Sequence, residues 1–497
     1  MYFATGDLKE RIERNCKRLS DKDYSAPIIF SQNPSWPGDW QGRGILALTA
    51  LYEATENPIV LKQLQDIINL LEDNVNEHGY FGEIIDKSCI NEQQLSGNGW
   101  FVRSLCDYYK LTKDEKVLTI LQKIKEKLFY ELEPSYKEYT VEKLSVGGVS
   151  GHVNEENVGG LKHSADIGCA FILLDGLTAL CEILRESILI EIAKVLIEKF
   201  FTVDFLKANF QTHAFLTATR AILRLYSITG ESLYLEKSEQ NFKLYFDLGT
   251  TVNYANFNWF GKPTSWTEPC AFIDSMMVAI ELFKITGKNQ YLAFANRVYN
   301  NAFRVAQRKN GGAGCEKCLY EDNGELTLHL YEAFFCCTMR FADGLNYLRK
   351  NLFFEKDNVI FALFTFGGKY KSEECEFDYV YDWQNSCVKI TVERGTVKNL
   401  VLYLPQGVKL YKKGVECENS LIGLDCGEHE YQIKAEYKKE IMAKTSAYFW
   451  SDFLLTQKEF NDESCVKFII DGKTYSPIQD CISVEEKYGI ENFKQRI

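Results

Sequence analysis

A segment that pairs two amphipathic patterns recurs along the first two thirds of the chain. Thr55 and Thr112 are 57 residues apart, and so are Thr229 and Thr286. Each threonine ends a stretch with apolar residues at i, i+3 or i+4 and i+7, and a second such stretch follows it. A short polar break between two helical patterns is typical of a turn between packed helices. The repeat therefore predicts helical hairpins in series.

The apolar faces of these hairpins limit how they can be arranged. One hairpin cannot bury its apolar face alone, whereas hairpins that close into a ring bury every face. Residues 171–200 supply a fifth copy, and residues 6–20 can pair with the helix after Cys337 as a sixth. We therefore predict a mainly α fold, an α/α toroid over residues 1–351, with an open solenoid as the alternative.

The pattern of the sequence changes in the last third. Short β-branched segments bounded by Gly, Asp or Asn follow one another, among them residues 358–366 and 399–411. Such segments are typical of antiparallel strands, and residues 464–475 add a hairpin with an Asp-Gly turn. We predict an antiparallel β-sandwich over residues 352–497, with a polar tail or short helix beyond about residue 485.

The composition excludes several classes of partner. The formal net charge of -12 repels phosphate backbones, so we expect no nucleic-acid binding. No stretch approaches the 18 uninterrupted apolar residues of a membrane span. The first residues lack a basic start followed by an apolar stretch, so we expect a cytoplasmic protein with mostly reduced cysteines. A homodimer stays open.

Two local patterns carry the strongest chemical signal. One is SWTEPCAFIDS, which places Glu268 two residues before Cys270, and the other is FFCCTMRFADGL, with adjacent Cys336 and Cys337. Three thiolates and one carboxylate make a four-coordinate set suited to Zn²⁺. The two patterns belong to different hairpins, so only the fold can bring them together. A buried Cys-Cys pair without a metal fits the same spacing.

Residues 256–303 resemble the core of the β-L-arabinofuranosidase superfamily, glycoside hydrolase family 127 and its relatives. The similarity continues through Cys336, Cys337 and Arg340, and weaker similarity lies upstream in HGYFGE at residues 78–83. The family fold is an α/α barrel followed by β-sandwich material, which agrees with the fold predicted from the repeat.

The resemblance implies a zinc-dependent retaining glycoside hydrolase that acts on a carbohydrate. Glu268, Cys270, Cys336 and Cys337 would bind zinc, and Cys336 would be the nucleophile. The chemistry is coherent, because metal binding keeps a thiol deprotonated and the thiolate is the reactive form. Its attack on the anomeric carbon, followed by water, would retain the configuration. A purely structural zinc site would look the same in the sequence.

The sequence departs from the family pattern at the position of the general acid. The family carries its acid/base glutamate upstream of the E-x-C motif, and Val252 occupies the nearest equivalent position. No carboxylate lies between Asp247 and Glu268. General acid catalysis usually contributes about 10²–10⁴-fold in rate, so its source matters. The identity of the acid stays unknown, and three loop carboxylates are candidates: Glu155, Glu156 and Asp39.

Other residues near these motifs are candidates for substrate contacts. The sequence predicts four of them: Asp39, His163, His213 and Trp259. The two histidines begin helical segments after loops, where the mouth of a barrel lies, and Trp259 and Trp266 flank the E-x-C motif. An aromatic ring there can stack on a sugar or pack in the core.

A second pair of thiols, Cys315 and Cys318, has the spacing of a metal half-site or a redox pair. No second pair of this spacing completes a zinc ribbon, and one of its thiols could instead join the main site.

Three functions are consistent with this sequence. The first is a hydrolase of a small glycoside or oligosaccharide, with arabinofuranoside-like sugars as the first expectation. The second is a non-hydrolytic carbohydrate-binding protein with a structural zinc, and the third is a sugar epimerase or lyase. The fold cannot choose among them, since the site decides the function. The valine at position 252 favours the second and third.

Overall fold

A computed structural model describes the chain as a ring of helices joined to a set of β-sheets. It describes all residues except these: 32–34, 140–152, 159–160, 315–316, 320–324, 330–331, 418–420, 458–465, 480, 489–491 and 497. Helices dominate up to Lys350, and strands dominate from Phe353 onward. The predicted fold class, mainly α with a β C-terminal part, is confirmed.

The helical part is a series of α-helices, some of only one turn. Their bounds are α1 (Gly6–Leu19), α2 (Ala26–Ile29), α3 (Asp39–Thr55), α4 (Pro58–Asn69), α5 (Leu71–Asn74), α6 (Glu92–Thr112), α7 (Glu115–Ile124), α8 (Glu131–Glu138), α9 (Leu173–Leu184), α10 (Ser187–Phe201), α11 (Thr212–Thr229), α12 (Ser232–Leu248), α13 (Pro269–Thr286), α14 (Asn289–Val298), α15 (Arg304–Ala306), α16 (Met339–Lys350) and α17 (Cys481–Tyr488). π-Helical turns extend α7 at Lys125–Tyr130 and α14 at Tyr299–Phe303, and another at Phe334–Thr338 leads into α16. Two 3₁₀ turns lie at Lys22–Tyr24 and Cys169–Ile172.

The long helices form a closed double ring. The inner helices α3, α6, α9, α11, α13 and α16 contact one another in that order, and α16 contacts α3. Each packs against one outer helix, in the same order α4, α7, α10, α12, α14 and α1. The predicted α/α toroid is therefore confirmed, including its sixth pair from the two ends of the helical region, and the open solenoid is wrong.

The recurring threonine has a structural reason in the turn between inner and outer helix. The Thr286 hydroxyl donates to the carbonyl of Leu282 at 2.6 Å and accepts from the backbone N–H of Lys288 at 3.2 Å. Gly287 between them adopts a left-handed conformation with φ of 70°. The same arrangement recurs at the turns after Thr55, Thr112 and Thr229. The threonine thus satisfies backbone groups that a helix end leaves without partners.

Glycines on the inner helices allow their backbones to approach closely. A Cβ atom at Gly42 of α3 would lie 2.4 Å from the backbone nitrogen of Phe101 in α6. At Gly176 of α9 it would lie 2.5 Å from the carbonyl oxygen of Gly99 in α6. Both separations are far below van der Waals contact, so a larger residue would force the helices apart.

The direction of the inner helices determines where a site can form. The first five inner helices each run into their outer partner through a short turn, and the outer helix returns the chain to the starting end. The sixth, α16, packs on α1 from the start of the chain, and it begins beside the start of α13. The N-termini of the inner helices therefore meet at one end of the ring, which we call the mouth. Free backbone N–H groups and helix dipoles favour anions at such termini.

The β-strands form several sheets. Their bounds are β1 (Tyr2–Phe3), β2 (Ile90–Asn91), β3 (Val153–Val158), β4 (Leu161–Ser164), β5 (Lys317–Leu319), β6 (Glu325–His329), β7 (Phe353–Lys356), β8 (Val359–Ala362), β9 (Gly368–Lys371), β10 (Glu376–Asp382), β11 (Cys387–Arg394), β12 (Val397–Leu402), β13 (Val408–Lys412), β14 (Val415–Glu416), β15 (Leu421–Leu424), β16 (Gly427–Ala435), β17 (Tyr437–Met442), β18 (Thr445–Trp450), β19 (Phe453–Gln457), β20 (Phe468–Ile470), β21 (Lys473–Pro477) and β22 (Asn492–Arg496). One sheet has the order β1-β9-β10-β11-β16-β13-β14, and another has the order β15-β12-β8-β7. A third runs β17-β18-β19-β22-β6-β5, with β20 and β21 attached through β19, and β2-β4-β3 form a small sheet beside the ring.

The first two of these sheets pack face to face through aromatic side chains. The ring of Phe353 on β7 lies 5.7 Å from that of Phe377 and 5.6 Å from that of Tyr379, both on β10. Pairing within these two sheets is antiparallel apart from β8 and β12, which run parallel. The sandwich is confirmed. Beyond residue 485 the polar residues 492–496 form a strand, β22, on β6, which the sequence did not predict.

Strands also cross the predicted domain boundary at residues 351 and 352. β1 from the start of the chain pairs with β9, and β5 and β6 lie in the third sheet. The division into 1–351 and 352–497 stays a prediction. None of the described helices is long and apolar enough to span a membrane.

Candidate active site

The E-x-C and Cys-Cys motifs meet at the mouth of the ring. Glu268 is the N-cap residue of α13, and Cys270 lies in the first turn of that helix. Cys336 and Cys337 lie in the π-helical turn that leads into α16. Because α13 and α16 are neighbours in the inner ring, their starts are adjacent. We call these four residues the thiol centre.

The distances within the thiol centre are short. The sulfur of Cys336 lies 3.3 Å from that of Cys270 and 3.9 Å from that of Cys337. The same sulfur lies 3.5 Å from Oε1 of Glu268. All three cysteines are free, and these separations exceed the about 2.05 Å of a disulfide. The fold has therefore gathered three thiols and a carboxylate around one point.

The three thiols differ in how far solvent reaches them. Cys270 is 0% exposed and Cys337 is 1% exposed, whereas Cys336 is partly exposed. Of the three cysteines, Cys336 is therefore the residue that solvent reaches at the mouth, whereas Cys270 and Cys337 are enclosed by protein.

His213 adds a nitrogen donor beside the thiol centre. Its Nδ1 lies 3.5 Å from Oε1 of Glu268, and its Nε2 lies 3.5 Å from Oδ2 of Asp274. The imidazole stacks on Trp100 with a ring separation of 5.7 Å. Two overlapping groups of donor atoms could hold a metal ion: Cys270, Cys336 and Cys337, and His213, Glu268 and Cys270.

Arg43 is a cation in direct contact with a thiol. Its Nη1 lies 3.5 Å from the sulfur of Cys270, and its Nε donates to Asp39 at 2.8 Å. The guanidinium lies over Trp100, 4.4 Å from the ring centre. Asp39, a predicted substrate contact, is therefore at the mouth but engaged with Arg43.

The pKa values of Cys270 and Cys336 are displaced in opposite directions. Burial raises the pKa of Cys270, but hydrogen bonds from Cys336 and Cys337 and the charge of Arg43 outweigh it and lower the pKa to about 6. The pKa of Cys336 is raised to about 11, chiefly because its thiol donates a hydrogen bond to Cys270. One negative charge on this pair of thiols is therefore favourable, and a second on the pair requires another cation.

The buried carboxylate of Glu332 holds the turn that contains Cys336 and Cys337. Glu332 accepts two hydrogen bonds from Nε of Arg18 at 2.9 Å and one from the Thr338 hydroxyl at 2.9 Å. Tyr24 donates to the same carboxylate at 3.1 Å. These contacts fix the turn on both sides of the two cysteines.

Below the thiol centre, the interior of the ring is filled by alternating charges. We call these residues the arginine–aspartate network: Arg103, Asp175, Arg220, Arg224, Asp274, Arg340 and Asp343. Asp274 accepts from Arg220 and from Arg340, each at 2.5 Å, and from the Thr217 hydroxyl at 2.7 Å. Through His213, Asp274 also connects the network to Glu268.

The other two predicted substrate contacts are buried. His163 on β4 is 7% exposed, and its Nδ1 lies 3.3 Å from Oε1 of Glu92, the first residue of α6. Trp259 is 8% exposed and packs edge-on against Trp266 at 4.7 Å. The Nε1 of Trp259 has no hydrogen-bond partner among the described residues.

Two predictions cannot be followed to their side chains. Glu155 and Glu156 lie in β3, but their side chains are outside the described residues, and so are Cys315 and the side chain of Cys318. Val252, where the family carries its acid, is 1% exposed.

Three residues at the mouth were missed in the sequence: Arg43, Asp274 and Gln211, whose Nε2 lies 3.5 Å from Oε2 of Glu268. A usable signal existed for two of them. Arg43 follows Asp39 by four residues, the helical spacing of an ion pair, and Asp274 follows Cys270 by four on an otherwise apolar helix. Gln211 carried no such signal.

The comparisons with known proteins concern the fold. No protein-family model matches the sequence, and a search of curated proteins finds no match. Among solved structures, one described as a glycoside hydrolase has a TM-score of 0.66 at 11% identity, covering 95% of this chain and 87% of its own. A β-arabinofuranosidase of glycoside hydrolase family 127 has a TM-score of 0.66 at 10% identity, covering 98% and 91%.

A family 127 β-L-arabinofuranosidase from Geobacillus stearothermophilus has a TM-score of 0.58 at 12% identity, covering 93% of this chain and 81% of its own. The resemblance predicted from the motifs is thus matched over nearly the whole chain by the fold. Identities this low concern the fold alone, so the function must be argued from the site.

Proposed function

We propose that this protein is a zinc-dependent retaining glycoside hydrolase of the β-L-arabinofuranosidase type. Its substrate would be a small glycoside or an oligosaccharide, with arabinofuranoside-like sugars first. The observation that carries the proposal is the position of Cys336, the partly exposed cysteine of the three, whose sulfur lies 3.3 Å from the sulfur of Cys270 and 3.5 Å from Glu268. The fold shared with family 127 enzymes supports it.

The donor set fits zinc. Zn–S bonds of about 2.3 Å place tetrahedral ligands about 3.8 Å apart, and a carboxylate ligand lies slightly closer. The sulfur–sulfur distances of 3.3 and 3.9 Å and the sulfur–oxygen distance of 3.5 Å are close to these values. Thiolates select zinc over hard cations. Glu268, Cys270, Cys336 and Cys337 would hold the ion, and His213 would orient Glu268 through its 3.5 Å contact.

Cys336 is the proposed nucleophile. Bound zinc would keep its thiol deprotonated at neutral pH, which the thiol does not achieve alone. Its sulfur forms a bond to the anomeric carbon while the bond to the leaving oxygen breaks, and both electrons of that bond leave with the oxygen. Water then replaces the sulfur on the same carbon. Two inversions retain the configuration of the sugar.

A leaving group that is unstable as an anion must be protonated as its bond to the sugar breaks. Val252 stands where the family carries the acid, and Asp39 is held by Arg43. We therefore propose that the enzyme handles substrates with activated leaving groups without a fixed acid, and that natural substrates need a carboxylate from the loops at the mouth. The predicted roles of Asp39, His163, His213 and Trp259 in binding the sugar stay proposals.

A second candidate is favoured by Val252. A carbohydrate-binding protein would use the same zinc centre structurally and would need no general acid. A sugar-modifying enzyme such as an epimerase or lyase would also use the zinc structurally, and its acid and base would lie elsewhere than at position 252. The free thiols at the mouth fit a reducing compartment, and we propose a cytoplasmic location for either function.

The test combines metal content with turnover on nitrophenyl glycosides, which need little acid assistance, including the β-L-arabinofuranoside. The wild type should carry about one zinc per chain and hydrolyse at least one glycoside. Cys336→Ser should lose at least about a thousandfold in kcat, as expected for a nucleophile. Cys426→Ser is the matched control, because Cys426 is an exposed cysteine between β15 and β16, outside the thiol centre. Zinc without turnover on any glycoside would favour the second candidate.

A further inference from the structure

A second cleft lies on the outside of the ring, away from the thiol centre. Its walls are the outer helices α12 and α14 on one side, and Tyr403, Gln406 and Glu440 from the sheet region on the other. Its volume is about 1080 Å³, slightly above the range for ligand pockets of about 300–1,000 Å³. No residue of the thiol centre lines it.

One wall of the cleft is aromatic. Phe242 and Phe246 of α12 face Phe294 and Tyr291 of α14, with Phe294 4.9 Å from Phe242 and 5.9 Å from Phe246. Phe242 and Phe294 are buried, but Phe246 is 37% exposed. An exposed ring backed by buried rings offers a flat apolar face at a fixed position, which suits the apolar face of a sugar ring.

The floor of the cleft is a fixed polar cluster. Arg297 donates to both oxygens of Glu440 at 2.7 and 3.0 Å, to Asp452 at 3.2 Å and to the Tyr254 hydroxyl at 2.6 Å. The Tyr403 hydroxyl donates to Asp452 at 3.0 Å. The cluster ties the ring to the sheets, so the cleft is formed in advance and its shape does not depend on a ligand.

The charges in the cleft exclude a polyanion. Each lining cation is paired with a carboxylate: Lys243 with Asp247, Lys288 with Glu239, and Arg297 with Glu440. Two more carboxylates, Glu236 and Asp452, leave an excess of negative charge. A phosphorylated or uronic-acid polymer would be repelled.

Neutral hydrogen-bonding groups complete the lining. Four amide side chains border the cleft: Gln240, Asn289, Gln290 and Gln406. Each amide offers both donors and acceptors, which is what a hydroxyl group requires. A ligand with many hydroxyl groups, apolar ring faces and no charge satisfies the aromatic wall, the amides and the electrostatics together.

We propose that this outer cleft binds a neutral oligosaccharide, independently of the thiol centre. The choice of a carbohydrate rests in part on the proposed function, and the cleft would hold a second stretch of the same substrate chain or a branch of it. The binding itself needs neither zinc nor Cys336.

The experiment measures binding of neutral saccharides to the full-length protein by calorimetry, in a Cys336→Ser background so that no probe is consumed. The probes are linear arabinan, xylan and glucan oligosaccharides, with oligogalacturonate as the charged comparison. A neutral probe should bind, and oligogalacturonate should not. Phe246→Ala and Gln406→Ala should each weaken binding about three- to tenfold, the effect of one stacking or hydrogen-bonding contact. Leu233→Ala is the matched control, because Leu233 is an exposed apolar residue of α12 outside the cleft.

The outcomes separate this inference from the proposed function. Binding that is weakened by Phe246→Ala, together with a wild type that hydrolyses no glycoside, would support the cleft and contradict the hydrolase. Hydrolysis by the wild type, with binding unchanged in both Phe246→Ala and Gln406→Ala, would overturn the cleft alone. The cleft proposal would also be overturned if no neutral probe binds. The same holds if no saccharide binds but a protein partner does, and Phe246→Ala abolishes that binding.

Discussion

Two clusters of ionisable groups lie inside the ring, and they are built on opposite rules. In the arginine–aspartate network, opposite charges alternate: Asp274 touches Arg220 and Arg340, and Asp175 touches Arg103, Arg220 and Arg224. In the thiol centre, four groups that all become anionic meet around one point, and the guanidinium of Arg43 touches one of them, the thiol of Cys270.

The difference distinguishes a cluster that stabilises the fold from a cluster suited to binding a metal and to catalysis. A buried network of alternating charges is complete, since each charge is compensated inside the protein. A buried group of like donors is incomplete, because ionising one opposes ionising the next. A divalent cation is the partner that would complete the thiol centre. Crowding of like groups at the mouth therefore indicates function more strongly than the larger number of charges below it.

The largest effect should come from breaking the network. Asp274→Ala leaves Arg220 and Arg340 buried without their shared carboxylate, so we expect a loss of about 3–5 kcal/mol in the free energy of unfolding. Denaturant titration measures it. Asp66→Ala, which removes an exposed partner of Lys62, is the control and should change stability by less than about 1 kcal/mol. Equal effects of the two substitutions would show that the network is not compensated as described.

Asp452 is a buried aspartate beside one arginine, whereas Asp175 in the arginine–aspartate network lies beside three. Burial raises its pKa to about 6 despite Arg297, whereas three arginines lower the pKa of Asp175 well below its usual value. A carboxyl whose pKa is raised by folding keeps its proton longer in the folded state, so stability falls as pH rises from about 4 to about 6.

Asp452→Asn removes this titration and keeps the acceptor for Tyr403. Between pH 4 and pH 6 the wild type should lose up to about 3 kcal/mol relative to the variant, from a shift of about two pKa units. Unfolding titrations of both proteins across this range measure it. A difference that is constant with pH, or that changes with the opposite sign, would contradict the assignment.

In the thiol centre, by contrast, the contribution of each cysteine to the stability of the protein should depend on bound zinc. Cys337→Ser replaces a buried ligand, and we expect about 100-fold weaker zinc binding, which corresponds to about 2.7 kcal/mol of stability at a zinc concentration that saturates both proteins. After chelation the same substitution should change stability little. The thermal midpoint with and without chelator measures both, and Cys106→Ser in the apolar core should behave alike in the two conditions.

The smallest effect should come from Arg43, whose guanidinium touches the thiol of Cys270. Arg43→Gln removes its charge, but the proposed zinc supplies most of the compensation. We expect zinc content to stay unchanged and kcat/KM to fall about tenfold, equivalent to 1.4 kcal/mol, as Cys270 and Asp39 lose a partner. A loss of zinc in this variant would mean that Arg43, and not the four donors, holds the site together.

The repeat predicted the ring because it is a local signal. Each 57-residue segment contains the helical period, the apolar face and the threonine turn. Thr286, Gly287 and Lys288 form one such turn. The strands β1 and β22 escaped prediction because their pairing depends on residues far along the chain, and neither segment is apolar or long.

The thiol centre was predictable as four residues but not as a geometry. Adjacent cysteines and an E-x-C motif are visible in the sequence, whereas the contact between His213 and Glu268 needs α11 and α13 to be neighbours. The partial exposure of Cys336 beside buried Cys270 is also a property of the folded mouth alone.

Zinc K-edge X-ray absorption on the purified protein tests the central claim most directly. The account predicts zinc bound by three sulfur ligands at about 2.3 Å and one oxygen or nitrogen at about 2.0–2.2 Å. A protein that carries no zinc when purified and takes up none, or zinc whose ligands are oxygen and nitrogen alone, would contradict it.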